Sequence, residues 1–292
     1  GFYQPSFSLV NSFKTDPATG LPLLDTWNDK DVDNDQGLAS TTPFTPYAGT
    51  LDPRLDYTVG RRGIPYLDWG LMPGKAWVRS QDQAGPYIPR KNLISKAQQA
   101  TSGDLAQGWG VNQANSINYV MIRFADVLLL AAEAETEAGS LDQAEAYVNM
   151  VRNRAAIPES WVHTYVDNND PSKGFTTTPA ANYKVSPYPA GRFAAQGKDY
   201  ARKAVRFERK LELAMEGHRF FDLQRYDNGT GYMADVLNDY IKHETSISGF
   251  TYHVLMGARF TKGKNELYPI PLNQIDLSAE GGQPTLEQNK GY

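Results

Sequence analysis

The chain has 292 residues, 40% apolar and 12% aromatic, enough to bury one large core or two modest ones and too apolar for a disordered polymer. Its net charge of -4 comes from interspersed charges, with no Lys/Arg block of the kind that neutralises a phosphate backbone, which argues against a nucleic-acid partner. There is no Cys, hence no disulfide framework, thiol nucleophile or Cys-ligated metal, and the longest apolar run, Val127 to Ala132, is far shorter than the roughly 20 residues of a membrane-spanning helix.

The opening residues Gly1-Phe2-Tyr3-Gln4-Pro5 contain no initiating Met, basic segment, apolar run or lipid-accepting Cys, so the natural start is expected upstream. Residues 1–115 are crowded with Pro, Gly, Asp, Asn and aromatic residues and hold no lasting helical period; they read as a region of long structured loops, where binding residues tend to sit. Within it Asp29, Asp31, Asp33 and Asp35 alternate like the start of a calcium-binding loop. Position six is Asn34 and not Gly, and position twelve is Ser40 and not Glu, so the EF-hand reading fails. A nonstandard Ca²⁺ site at Asp29, Asp31 and Asp33 stays open beside a solvated acidic loop.

Residues 116–292 read as helical. From Asn118, Val120, Phe124, Val127, Leu128, Ala131, Ala134 and Ala138 recur at three and four, predicting a long amphipathic helix that stops at Gly139. Ser140-x-x-Gln143 reads as a capping box for a second helix carrying Ala144, Tyr147, Val148 and Val151, limited by Pro158. So short a turn makes the two antiparallel, and the 118–156 hairpin has the length of a tetratricopeptide repeat. Loop chemistry returns over 158–197, followed by a helix from about Tyr200 that bends or restarts at Gly217, a turn at Asp227-Asn228-Gly229, a helix over 232–243, and an extended tail around Pro269 and Pro271.

Glu208, Glu212 and Glu216 lie four apart on one helix, with Arg206, Arg209 and Arg219 in reach. A carboxylate pair could cleave a glycoside, but a salt-bridged carboxylate loses the raised pKa an acid catalyst needs, so the expectation is a structural ion network of these glutamates with Arg209 and Arg219. Arg123 and Asp126 are spaced for a local pair, and Arg152 and Arg154 for the dipole at a helix end. His163, His218, His243 and His253 have no zinc-ligand spacing.

Four separated segments carry a resemblance: Asp52-Pro53-Arg54-Leu55 through Thr58-Val59-Gly60-Arg61 to Ile64-Pro65-Tyr66-Leu67-Asp68-Trp69; Tyr119 to Leu129 with Ala132-Glu133-Ala134 and Asn149 to Ala155; Glu208-Arg209, Glu212-Leu213 and Glu216 to Leu223 with Arg225; and Leu267-Tyr268-Pro269-Ile270-Pro271 with Gln288-Asn289-Lys290-Gly291-Tyr292. In order and spacing the chain resembles the C-terminal portion of the SusD/RagB family, departing at Lys290, where the family usually has Pro, and lacking the family's N-terminal region. The resemblance implies a mainly α fold, a SusD-like superhelix of tetratricopeptide-like hairpins with long aromatic, Pro/Gly-rich loops, co-folded with the missing N-terminal part. It also implies an outer-membrane, cell-surface lipoprotein that is not an enzyme, binds oligo- or polysaccharide, and delivers it to a SusC-like TonB-dependent transporter.

Aromatic residues supply the candidate contacts. Trp27, Tyr47, Tyr57, Tyr66, Trp69, Trp77, Tyr87 and Trp109 all fall in the loop-rich part, and Trp161 in a later loop. Sugar C–H faces stack on aromatic planes, while sugar hydroxyls bond Arg, Asn, Asp and Gln. The glycan-binding set read from the sequence is Trp69, Trp77, Tyr66, Asp68, Arg62 and Trp109, with no catalytic residue and no cofactor beyond the calcium candidate. Two other classes remain: a tetratricopeptide-like scaffold without glycan binding, and a glycoside hydrolase using a loop carboxylate such as Asp68.

Overall fold

The computed structural model describes residues 3–104, 114–252 and 254–292. Packing divides the chain into two units, residues 1–217 with 248–250, and residues 218–247 with 251–292. Among the described residues no helix is long and apolar enough to cross a membrane.

In the first unit the Pro- and Gly-punctuated stretch forms loops interrupted by short helices, α1 (Phe7–Asn11), α2 (Arg54–Thr58), α3 (Gln81–Ala84) and α4 (Gln99–Ser102). Strands β1 (Val59–Gly60) and β2 (Ile88–Pro89) pair antiparallel, as do β3 (Gly103–Asp104) and β4 (Ala114–Asn115). Phe7, Val10, Phe13, Leu51 and Leu55 are buried here, so the loops have a core of their own. Asp56 sits within it, receiving Arg61 through two bonds of 2.7 and 2.8 Å and the Tyr183 hydroxyl at 2.5 Å, which satisfies a carboxylate that would otherwise be costly to bury.

The expected hairpin is present as α5 (Phe124–Ala138) and α6 (Leu141–Ala155), followed by α7 (Arg192–Gln196) and α8 (Lys198–Glu212). Leu129, Ala132, Ala144, Val148, Phe193, Ala201 and Ala204 are fully buried between them, and the alanines let the helices approach closely. Burying Leu129 alone stabilises by about 1.5–3 kcal/mol.

Four local expectations change. The stripe predicted to face the core is not the one α5 buries: Phe124 and Val127 are exposed, while Ala125, Asp126, Leu129, Ala132 and Thr136 are buried, Asp126 with its charge met by Arg209. Helix α5 begins at Phe124 and not Asn118, because Arg123 is extended (φ -130°, ψ 161°) and its guanidinium reaches Glu216 at 2.9 Å, while the Tyr119 hydroxyl donates to the Glu216 carbonyl at 3.2 Å. These distant partners hold residues 119–123 out of the helix. The capping box is half formed, since the Ser140 hydroxyl accepts the Gln143 N–H at 3.3 Å, but the Ser140 N–H goes to the Glu135 carboxylate at 2.8 Å. The 158–197 loop contains a hairpin, β5 (His163–Tyr165) with β6 (Phe175–Pro179), whose Thr164 and Thr176 hydroxyls meet at 2.7 Å.

In the second unit α9 (Arg219–Asp227) turns into α10 (Tyr232–Ser246). Asn228 takes left-handed backbone (φ +40°), and the Asp227 carboxylate accepts the Gly229 and Met233 N–H groups at 3.1 and 2.8 Å. In the tail Ile270, flanked by Pro269 and Pro271, exchanges two bonds of 2.8 Å with the Gln288 amide. Where Pro269 and Pro271 predict a tail that stays extended, the chain forms a further helix, α11 (Leu272–Leu277).

Candidate functional site

Tyr66, Trp69 and Trp77 come together. With Leu93, Ile94 and Asn115 they line an open pocket of about 250 Å³. Residues 65–71 form a tight loop in which Leu67 takes left-handed backbone (φ +54°), and the Tyr165 hydroxyl fills its inside, donating to the Leu67 carbonyl at 2.7 Å and accepting the Gly70 N–H at 3.3 Å. The Trp69 indole N–H donates to the Ile94 carbonyl at 3.0 Å, and the Tyr66 hydroxyl to the Pro89 carbonyl at 2.5 Å. Burial pushes the Tyr66 phenol well above its ordinary pKa, so it remains a neutral donor. Trp77 stands edge-on to Tyr66, centroids 5.8 Å apart, and is 42% exposed. The close approach of Tyr66 requires Gly60, since a Cβ there would lie 2.6 Å from the ring.

Asp68 acts on this pocket only through backbone groups, and Arg62 is bound elsewhere. The Asp68 carboxylate accepts the Lys96 and Ala97 N–H groups at 2.5 and 2.9 Å, tying the aromatic loop to the segment that supplies Ile94. Arg62 is 9% exposed; it donates to the Ser40 and Thr42 carbonyls, each at 2.6 Å, and lies over the Phe44 ring. It is absent from the pocket lining. Trp109, and likewise His253, lies outside the described residues. Leu93, Ile94, Asn115 and the Tyr165 support carry no signal in the sequence, because Ile94 is recruited through its backbone carbonyl and Tyr165 from nearly a hundred residues away.

The remaining rings have other surroundings. Trp27 packs edge-on to Phe207 with the Lys210 ammonium 3.2 Å from its centroid, and Tyr87 is buried edge-on to Phe7. In the acidic loop Asp31 accepts the Asn11 amide at 2.6 Å, while Asp35 turns inward to Gln81 at 3.2 Å. Among the described residues no three His, Asp or Glu side chains gather to hold a metal.

Glu208, Glu212 and Glu216 form an ion network, but with cations other than those nearest in sequence. Glu208 receives Arg54 at 2.6 Å and the fully buried Arg152 at 2.8 Å. Glu212 receives Arg54 at 3.0 Å together with Arg123 and Arg154, and Glu216 receives Lys91 at 2.5 Å and Arg123 at 2.9 Å. Burial alone would raise the Glu212 carboxyl; the three guanidiniums outweigh it and hold the pKa at about 2. Arg209 pairs instead with buried Asp126 at 2.7 Å, so the local Arg123–Asp126 pair gives way to two tertiary ones, and Arg219 belongs to the second unit.

A model of the SusD family matches residues 1–292. SusD-like protein P2 of Formosa agariphila is 33% identical over 117 residues, 39% of this chain and 18% of that protein. SusD-like protein P25 of the same organism is 29% identical over 185 residues, 60% of this chain and 26% of that protein. A crystal structure of a SusD-like protein from Bacteroides fragilis superposes with a TM-score of 0.53 at 18% identity, covering 99% of this chain and 47% of that one, which shows a shared fold. The chain thus spans about a quarter or less of the length of these curated relatives, and under half of the solved one.

Proposed function

The chain belongs to the SusD family, and from that membership and the aromatic pocket we propose that it captures oligo- or polysaccharide without cleaving it. The capture takes place at the outer-membrane surface, as part of a lipoprotein that passes glycan to a SusC-like TonB-dependent transporter. One observation carries the reading: Tyr66 and Trp69 have their polar atoms engaged by backbone carbonyls, so what these rings offer a ligand is apolar aromatic surface, with Trp77 42% exposed beside Tyr66 and the Asn115 amide in the same lining. Such a surface suits sugar C–H faces and gains little apolar burial, so single-site affinity is modest. The described lining residues include no carboxylate, and the Asp68 carboxylate is turned to two backbone N–H groups, which supports binding over hydrolysis.

A protein-contact role has its own observation. Tyr119, Met121, Ile122, Phe124 and Val127 are exposed at the start of the hairpin, an apolar run suited to another protein surface.

Affinity electrophoresis through gels containing different polysaccharides separates these readings. We expect retardation by at least one polymer, reduced in Trp69→Ala and Trp77→Ala and without release of reducing ends. Retardation by none favours the scaffold, release of reducing ends the hydrolase, and retardation untouched by both substitutions moves the site elsewhere.

A further inference from the structure

A second pocket, of about 420 Å³, opens in the same unit against the ion network. Its aromatic walls are Tyr57 and Trp161, whose polar atoms are engaged on backbone carbonyls: the Tyr57 hydroxyl donates to Ser160, and the Trp161 indole N–H to Ala155 at 2.9 Å. The charges around it are layered. Glu212 and Glu216 form the inner layer, 2% and 14% exposed at the side chain, while Lys91, Arg123 and Arg154 form the outer layer at 20%, 25% and 57%. A ligand entering the pocket therefore meets cations first.

The charge balance points the same way. Asp52, Glu208, Glu212 and Glu216 are matched by Arg54, Arg152, Arg123, Arg154 and Lys91, four carboxylates against five cations. Arg154 uses one guanidinium nitrogen on Glu212, and its half-exposed side chain lines the pocket with further N–H donors to offer. The aromatic pocket lies close by along the chain. Lys91 lines the charged pocket and Leu93 the aromatic one, with Asn92 in left-handed backbone (φ +61°) between them, a separation of at most about 7 Å of backbone.

We infer that the pocket bounded by Tyr57, Trp161, Lys91, Arg123 and Arg154 is a subsite for an anionic substituent of the glycan, a uronate carboxylate or a sulfate ester. This rests on the capture role proposed above and adds to it a substrate class: the chain selects acidic over neutral glycan. The planar Arg154 fork can receive either oxyanion through two parallel N–H bonds, while Tyr57 and Trp161 take the ring that bears it.

The test uses the ¹⁵N-labelled chain and the indole N–H cross-peaks of its tryptophans, titrated with galacturonate, inorganic sulfate and, as neutral control, methyl galactoside. Both anions are expected to move the Trp161 peak saturably, less as NaCl is raised, and about tenfold more weakly in Arg154→Gln. Methyl galactoside should leave Trp161 in place and move Trp69 or Trp77. A response to galacturonate alone assigns the subsite to uronates, and a response to sulfate alone to sulfate esters. Anions that leave Trp161 unmoved, or that move it equally in Arg154→Gln, overturn the subsite. If the anions move Trp161 while methyl galactoside moves neither Trp69 nor Trp77, the subsite stands and the aromatic-pocket reading fails. Lys91→Gln should weaken the anion response in the same direction should Arg154→Gln prove poorly folded, since Lys91 pairs with the Glu216 carboxylate where Arg154 pairs with that of Glu212.

Discussion

Trp77 stands 42% exposed in the lining of the aromatic pocket, whereas Arg152, in the helical body of the same unit, is 0% exposed at the side chain and bound on every side. Arg152 meets Glu208 at 2.8 Å, the Ser186 carbonyl at 2.7 Å and the Gly20 carbonyl at 3.0 Å, with the Tyr188 ring beneath it. The contrast separates two kinds of conspicuous residue. Among the residues that make the chain resemble its family, the charges Asp52, Asp126, Arg152, Glu208 and Glu212 are buried and fix one arrangement of helices and loops, whereas Tyr66 and Trp69 sit on a loop whose position is set by backbone bonds.

The sharpest way to break that contrast is to remove a buried charge. Arg152→Leu strands Glu208 with Arg54 alone and orphans two carbonyls, so the expected loss is about 3–5 kcal/mol in urea denaturation, enough to unfold the first unit under mild conditions. A loss under about 1 kcal/mol would mean the network is ornamental.

Acid probes the same region. The Glu212 carboxyl is depressed from 4.5 to about 2 in the folded chain, so its contribution is fully present above the unfolded value and is lost as pH falls from roughly 4.5 towards 2. The decline attributable to it is on the order of 3 kcal/mol. Stability of Glu212→Gln, followed by denaturation across that window, should fall less steeply than that of the wild type.

A smaller effect comes from the support beneath the aromatic loop. Tyr165→Phe removes the hydroxyl that lies between Leu67 and Gly70, and should cost about 0.5–1.5 kcal/mol while also weakening glycan retardation, because Trp69 loses its fixed position.

Much of the helical body was legible in the sequence. The three-and-four spacing of Val127, Leu128, Ala131 and Ala134 and the short Gly139-Ser140 turn predict the hairpin, and it forms, but the face α5 buries is Ala125, Asp126, Leu129, Ala132 and Thr136. What the sequence could not place were interactions closed by distant partners. Helix α5 starts late because Arg123 and Tyr119 reach Glu216, which lies past the end of α8 and not on one helix with Glu208 and Glu212, and the glutamates find Arg54, Lys91, Arg123, Arg152 and Arg154 in place of the arginines nearest in sequence. The site was half legible. Tyr66, Trp69 and Trp77 converge as an aromatic-rich loop region invites, but Arg62 and Asp68 are drawn into loop architecture by backbone groups that carry no sequence signature.

The smallest expected change in stability belongs to the residue expected to matter most for binding. Trp77→Ala removes a ring that is already 42% exposed and should shift the melting transition little, by the equivalent of about 1 kcal/mol or less. Its electrophoretic retardation by a glycan that slows the wild type is the most direct measurement of the central claim. Retardation is expected to collapse while the fold persists. Undiminished retardation, or retardation lost only along with the fold, would contradict it.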